Sequence, residues 1–140
     1  MSRQFAFHAV AAVRWAVMPS VLALGLDPKF ADYTKMPGLS VEMVRAFIEA
    51  QLGRIREAGY DVQSCLTDLG DTAEAVTLGY LRRRSFDCVL IGAGLSDASN
   101  LLLFERLLNL VHAHAPGAKI CFNSSPADSL EAVQRWVPTS

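Results

Sequence analysis

One stretch of sequence, FDCVLIGAGLSD at residues 86–97, most constrains the fold of this chain. Phe86 and the run from Cys88 to Ile91 are almost continuously apolar, which is typical of a strand buried on both faces of a parallel sheet. Gly92 and Gly94 follow at the carboxyl end of that strand, where glycine lets another group approach the backbone. The stretch therefore predicts the central strand of an α/β sheet and one wall of any ligand site.

Three further segments of strand length alternate with helical patterns along the chain. The predicted strands cover residues 20–26, 60–67, 86–91 and 118–122. Strict alternation of strands and helices predicts a parallel sheet with right-handed crossovers. The first and third strands are the most apolar and belong in the centre, so the predicted strand order is 2-1-3-4. The expected fold class is α/β, a three-layer sandwich of flavodoxin-like or Rossmann-like type, in a single domain over residues 18–140.

Polar residues mark where three helices begin. Ser40 is a favourable N-cap for the helix that follows the first strand. Asp71, with Glu74 three residues later, is typical of a capping box before the next helix. Ser125 as N-cap, with Asp128 three residues later, predicts the start of the last helix.

In the predicted strand order the connections that follow strands 1 and 3 run to opposite sides of the sheet. This reversal of strand order creates a crevice at the carboxyl ends of the two strands. The candidate ligand-binding residues at this crevice are Asp27, Gly92, Gly94, Ser96, Asn123 and Ser124. The loop from Asp27 to Leu39 is long for a strand-to-helix connection, where about 2–6 residues are usual. This loop is either functional or a surface insertion that covers the edge of the sheet.

The order of elements from Val21 to Trp136 resembles the first four βα units of response-regulator receiver domains, within the flavodoxin-like group. FDCVLIGAGL stands where a receiver has its central strand, and AKICFNSS stands where the strand ends near a hydroxyl residue, here Ser124. Matching strand to strand puts Gly92 at the phospho-acceptor aspartate, reduces the acidic pair to Asp27, and leaves no fifth strand with its lysine. The resemblance therefore implies a receiver relative without phosphotransfer, because glycine cannot carry a phosphoryl group.

Motifs for common cofactors are incomplete. Gly92-Ala93-Gly94 follows the third strand and lacks the third glycine of a dinucleotide fingerprint, so it gives weak support for NAD or FAD. The loop after the first strand lacks the hydroxyl residues with which flavodoxins bind FMN. A phosphate or carboxylate on the backbone N–H groups of Gly94 and Ser96 is chemically simpler, although Asp97 opposes it. The identity of any cofactor stays unknown.

Charge, histidine and cysteine usage exclude several classes of function. The net charge is −1 and Arg82-Arg83-Arg84 is the one basic tract, so no nucleic-acid partner is expected. His112 and His114 are two residues apart on a predicted helix and point in different directions, so no metal site is expected. Each cysteine falls inside a predicted strand, which indicates buried, unreactive thiols in a reducing compartment. The cysteines are Cys65, Cys88 and Cys121.

Two functions fit this pattern. The first is a non-enzymatic module that binds a small ligand or a protein partner at the carboxyl ends of strands 1 and 3. The alternative is a small-molecule enzyme, of hydrolase or nucleotide type, that uses Asp27, Ser96 and either Asn123 or Ser124 in the same crevice.

The predicted helix from Leu101 to Val111 is apolar over more than one face, which indicates burial on more than one side. Either the long loop after the first strand covers it or a second subunit does. We expect a homodimer that forms through this helix or through the edge of the fourth strand.

Residues 1–17, MSRQFAFHAVAAVRWAV, differ from the rest and are interpreted as an extension. Their apolar run is broken by His8 and Arg14 and is shorter than the roughly 20 residues that a spanning helix needs, so no membrane contact is expected. Arg3 and Arg14 without an acid are mildly similar to a mitochondrial presequence, and Met18 is an alternative translation start. We expect a cytoplasmic protein, or a mitochondrial one if the extension is a presequence.

Overall fold

The computed structural model describes residues 18–139, so the predicted extension over residues 1–17 lies outside the described residues. The strands are β1 (Ser20–Leu26), β2 (Asp61–Thr67), β3 (Cys88–Ile91) and β4 (Lys119–Phe122). The helices are α1 (Val41–Glu57), α2 (Ala73–Arg83), α3 (Ala93–Ser96), α4 (Leu101–His114) and α5 (Ser129–Trp136). Short 3₁₀ turns cover Pro28–Phe30, Tyr33–Lys35, Ala98–Asn100 and Pro126–Asp128.

The four strands form one parallel sheet in the order β2-β1-β3-β4. Val21 of β1 pairs with Val62 of β2 on one side and with Cys88 of β3 on the other. All four residues of β3 are buried, as a central strand requires. The predicted three-layer α/β sandwich, its flavodoxin-like arrangement and its strand order are therefore confirmed.

The sheet separates two apolar cores because successive side chains of a strand point to opposite faces. On one face Leu22 and Leu24 of β1 pack with Leu103 and Leu107 of α4, and with residues of α2. On the other face the core joins all four strands to α1 and α5, and it includes Val21, Leu52, Ile55 and Val133.

Two of the three predicted helix starts are confirmed. The Ser40 hydroxyl accepts a hydrogen bond from the Met43 amide at 3.2 Å, and Ser125 forms a capping box with Asp128. The predicted capping box of Asp71 with Glu74 is wrong, since the N-cap of α2 is Thr72 and its side chain makes no capping bond.

Asp68 takes over the role predicted for Asp71. Its carboxylate accepts hydrogen bonds from the Gly70 and Thr72 amides at 3.0 Å, and from the Thr72 hydroxyl at 2.8 Å. The carboxylate that accepts the hydrogen bonds before α2 thus belongs to a residue three positions earlier in the sequence than the predicted one. Gly70 in this turn has φ of +145°, a conformation in which only glycine is free of strain.

The helix from Leu101 to Val111 is buried on one face only. Leu103, Leu107 and Val111 are enclosed, whereas Leu101 and Leu102 are 59% and 73% exposed. The loop after β1 therefore leaves these two leucines uncovered.

Candidate functional site

A cavity of about 250 Å³ opens at the carboxyl ends of β1 and β3, beneath the first half of α1. It lies at the predicted crevice, where the strand order reverses between the two central, parallel strands. Its walls are mostly aliphatic, and none of the lining residues has an ionisable side chain. The strands contribute Ala23, Leu24, Gly25, Leu26, Ser64, Leu66 and Leu90; the helix and loops contribute Pro28, Ala31, Met36, Val44, Ile48, Gln51, Leu52, Gly92, Ala93, Gly94, Asn123, Pro126 and Ser129.

The cavity exists because its floor is made of small residues. Ala23 of β1 pairs in register with Ser64 of β2, and Gly25 follows two residues along on the same face. A Cβ added to Gly25 would meet Leu66 at 3.7 Å, an ordinary contact distance, so the backbone there does not require glycine. The small residues therefore leave space above the sheet that larger side chains could fill.

The roof of the cavity is the N-terminal part of α1. Of the 17 residues in this helix, Leu52 and Ile55 in its second half are the two that are fully buried. Val44 and Ile48 are partly exposed and line the cavity, and Ile48 also packs against the apolar core on this face. The cavity thus lies beneath residues 44–52 of α1, and the fully buried residues of the helix begin at Leu52.

The turn from β3 into α3 forms the end wall. The Gly92 amide donates to the Leu24 carbonyl at 2.8 Å, which joins the turn to β1. A Cβ on Gly94 would lie 3.2 Å from the Leu26 Cβ, so the tight approach of the Leu26 side chain favours glycine at this position. The Ser96 amide donates to the Gly92 carbonyl at 3.3 Å, within α3.

Asn123 fixes this turn from the neighbouring strand. Its side-chain oxygen accepts from the Ala93 amide at 2.8 Å, and its Nδ2 donates to the Ser129 Oγ at 3.0 Å. The Ser129 hydroxyl in turn donates to the Pro126 carbonyl at 2.7 Å. This buried chain of hydrogen bonds holds the ends of β3 and β4 and the start of α5 together.

Asp27 lies at the rim and is already paired. Its carboxylate accepts from the Lys29 amide and from Arg45 Nη2, both at 3.0 Å. Partial burial acts to raise the pKa of Asp27, but these two hydrogen bonds together hold the pKa below its ordinary value. Asp27 is thus an ionised N-cap and ion-pair partner.

The structure separates the six predicted site residues into two groups. Gly92, Gly94 and Asn123 line the cavity, whereas Asp27, Ser96 and Ser124 do not. The exposed Ser124 hydroxyl donates to the Asp128 carboxylate, and the Ser96 hydroxyl lies 3.4 Å from the Ala93 carbonyl.

Sequence reasoning missed the floor and roof of the cavity, above all Ala23, Ser64 and Val44. No motif marks these residues. The available signal was the alternation in β1, where Ala23 and Gly25 are small on one face while Leu22 and Leu24 are large on the other.

The loop between β1 and α1 closes one side of the cavity through Pro28, Ala31 and Met36. Among the described residues, every hydrogen bond of residues 28–39 has its partner within residues 27–39; the Tyr33 hydroxyl, for example, donates to the Pro28 carbonyl at 2.6 Å. Asp27 alone connects the segment to the body by hydrogen bonds, through its amide to the Thr67 carbonyl at 2.9 Å and through Arg45. The loop is thus a self-contained unit, as in Ω-loops.

Within residues 18–139 no group of three or more His, Cys, Asp or Glu side chains is placed to hold a metal ion. None of the helices described is both long and apolar enough to cross a membrane.

Together, these features define a flavodoxin-like α/β domain with an uncharged apolar cavity at its switch-point crevice. No protein-family model matches the chain, and no curated protein or solved structure matches it at a significant level.

Proposed function

We propose that this protein is a non-enzymatic module that binds a small, largely apolar molecule in the cavity between β1, β3 and α1. One observation carries the proposal: the cavity is at the place where open α/β sheets bind ligands, and its lining is aliphatic and uncharged. An engineered cavity of about 150 Å³ holds benzene, so 250 Å³ suits a molecule of about ten non-hydrogen atoms.

The cost of unfilled space supports the same conclusion. Apolar surface that stays open to solvent forgoes the stabilisation of burial, about 25 cal/mol for each Å². Ala23 and Gly25 keep the space open although ordinary contact distances would admit a larger side chain at Gly25. Residues that hold a costly apolar space open are expected where the space has an occupant.

Binding is favoured over catalysis by the contacts of the polar candidates. Asp27 is held by Arg45 and Ser124 by Asp128, so neither presents a free nucleophile or base to the cavity. Gly92 occupies the position that the resemblance to receiver domains gives to the phospho-acceptor, which supports a module without phosphotransfer. The small-molecule enzyme remains the alternative, and turnover lost in Asp27→Ala or Ser96→Ala would favour it.

A second copy of the chain is the protein partner that we propose. Within the described residues β3 is the strand that pairs with β4, and on the other edge of β4 the Phe122 carbonyl accepts a hydrogen bond from Arg135 Nη2 at 2.9 Å. An apolar patch is formed by Phe122 of β4 together with Leu101, Phe104 and Leu108, which share one face of α4 by helical spacing. The Phe104 and Phe122 rings pack edge to face at 5.6 Å, and Phe122 remains 41% exposed.

The location that we propose is a reducing compartment, either the cytoplasm or mitochondria. Cys65, Cys88 and Cys121 are all free and buried, which suits such a compartment.

Titration of the ¹⁵N-labelled full chain with naphthalene, a neutral ten-carbon probe, tests the proposed function. The expected result is saturable shifts of the Ala23, Gly25 and Gly92 amides, with a rise in thermal stability. A probe at ten times its Kd stabilises the native state by about 1.4 kcal/mol. Shifts confined to residues remote from the cavity, or none at all, would contradict the proposal.

A further inference from the structure

The polar atoms of the cavity differ in whether they already have partners. Asn123 is engaged with Ala93 and Ser129, and the Ser129 hydroxyl donates to Pro126. The Gln51 side-chain oxygen accepts a hydrogen bond from Arg54 at 3.0 Å, whereas its Nε2 makes none within residues 18–139. Asn123 and Ser129 are thus held by the protein itself, and Gln51 is held through its oxygen.

The Ser64 hydroxyl is different, because it makes no hydrogen bond within residues 18–139. Ser64 lies in the floor, and its neighbours in register and along the strand are Ala23 and Leu66, which offer no side-chain partner. The side chain is partly buried and lines the cavity.

A hydroxyl in an apolar cavity is costly when a ligand covers it without pairing it, because the covered group loses its hydrogen bonds to water. A purely aliphatic or aromatic ligand would impose this cost on Ser64. A ligand with one donor or acceptor at the right end would avoid it.

Charge at the ligand is disfavoured by the same lining. No ionisable side chain faces the cavity, so an ionised carboxylate or phosphate would be desolvated without a counter-charge. The ion pair of Asp27 with Arg45 is at the rim and is already neutral as a pair.

We infer that Ser64 determines specificity, and that the ligand is an uncharged molecule of about ten non-hydrogen atoms with an apolar body and one hydrogen-bonding group directed at the floor of the cavity. This inference rests on the proposed function and adds the chemical class of the ligand and the residue that selects it.

Three probes with one ring system provide the test: naphthalene, 2-naphthol and 2-naphthoate, titrated at pH 7 by calorimetry and by amide shifts. One hydrogen bond contributes about 0.5–1.5 kcal/mol, so we expect 2-naphthol to bind about 3–10 times more tightly than naphthalene. The anion 2-naphthoate should bind at least about tenfold more weakly than 2-naphthol.

Ser64→Ala should bring the affinities for 2-naphthol and naphthalene within about twofold of each other, while naphthalene still binds. Ser85→Ala, which changes an exposed serine outside the cavity, should preserve the full preference. Amide spectra of each variant establish that it is folded before affinities are compared.

The outcomes separate the inference from the function on which it rests. If naphthalene and 2-naphthol bind the wild type equally at the cavity, or if the preference survives in Ser64→Ala, the inference fails and the binding module stands. If no probe binds at the cavity, both fail.

Discussion

The carboxylate of Asp27 accepts a hydrogen bond from the guanidinium of Arg45 at 3.0 Å, and this ion pair joins the loop over the cavity to α1. The loop makes its remaining hydrogen bonds internally, apart from the Asp27 amide to Thr67. The two hydrogen bonds of Asp27 are therefore the polar connections between this loop and the rest of the described structure.

Arg45→Ala should accelerate both entry and release of 2-naphthol, because the loop loses its side-chain connection to α1. The change in Kd should stay within about threefold, and the free energy of unfolding should fall by less than about 1 kcal/mol, as for other exposed ion pairs. Exchange rates from NMR line shapes provide the measurement.

Arg84→Ala is the matched control, since it breaks a 3.0 Å ion pair with Asp61, which lies at the amino end of β2. Equal rates in wild type and Arg45→Ala would show that this ion pair does not restrain the loop.

Ala23→Val should make the protein more stable and the site weaker. Two added methyl groups in the cavity floor contribute about 1–1.5 kcal/mol to the free energy of unfolding, by the usual value for buried methylene groups. The same groups occupy the ligand's space, so affinity for naphthalene should fall at least about tenfold. Urea denaturation and calorimetry measure the two effects.

Leu22→Val is the control, because Leu22 lies in β1 beside Ala23 but faces the opposite core. It should lower the free energy of unfolding by about 0.5–1.5 kcal/mol and leave affinity unchanged. A loss of stability in Ala23→Val would mean that the added methyl groups clash with the cavity walls and do not fill free space.

The free energy of unfolding should decrease in acid, because carboxylates that accept hydrogen bonds in the turns become protonated. The Gly70 amide and the Thr72 hydroxyl lower the pKa of Asp68 from its ordinary 3.8. A lowered pKa in the folded state stabilises the protein above the pKa of the unfolded chain, and the contribution is lost as pH falls through the folded value. Urea midpoints should therefore be constant from pH 7 to about 5 and fall below about 4. Asp68→Asn should show a smaller decrease between pH 4 and 2; an unchanged pH profile would rule out this carboxylate as a source.

The cysteines should be unreactive in the folded protein. Burial is the main cause that raises the pKa of Cys65, to about 11, and the Cys121 thiol together with burial raises the pKa of Cys88. Cys88 and Cys121 have sulfur atoms 3.3 Å apart, but Cys121 pairs in register with Leu90. This offset separates the two Cα atoms by about 8 Å, more than a disulfide permits.

A thiol reagent such as Ellman's reagent should accordingly detect no rapidly reacting cysteine in native protein and all three after denaturation. The mass of the chain without reductant should show no loss of two hydrogens. Fast modification of any one thiol would contradict the burial of the three cysteines.

The proposed dimer predicts twice the monomer mass in light scattering at micromolar concentration. Leu101→Glu places a charge in the patch beside β4 and should give a monomer, while an acidic residue at the start of α4 is compatible with folding. Met43→Glu changes an exposed residue on α1, in the layer across the sheet, and should remain dimeric. A wild-type monomer at this concentration would refute the dimer.

The fold was predictable because its signals are local and mutually consistent. The run from Cys88 to Ile91 is apolar at every position, and turn residues bound each strand, so strand order followed from burial alone. The capping of α2 was not predictable from spacing, since Asp68 and Asp71 are both suitable residues. The path of the turn at Gly70 decides which of these two carboxylates reaches the free amides.

The site was predictable in position but not in chemistry. The crevice between β1 and β3 follows from topology, and Gly92 and Asn123 do line it. Its aliphatic character depends on which side chains of β1, α1 and the loop after β1 meet over the sheet, and tertiary packing decides that. Sequence reasoning selected polar residues such as Asp27, whose charge is neutralised by Arg45 18 residues away.

Successive side chains of β1 point to opposite faces of the sheet, so neighbouring residues of this strand have different roles. Leu22 and Leu24 belong to the packed core beneath α4, whereas Ala23 and Gly25 set the depth of the cavity on the other face. Substitutions at Ala23 or Gly25 can therefore change the size of the molecule accepted together with stability, and substitutions at Leu22 can adjust stability from the opposite core. Within a single strand of seven residues, neighbouring positions thus act on selectivity and on stability from opposite faces of the sheet.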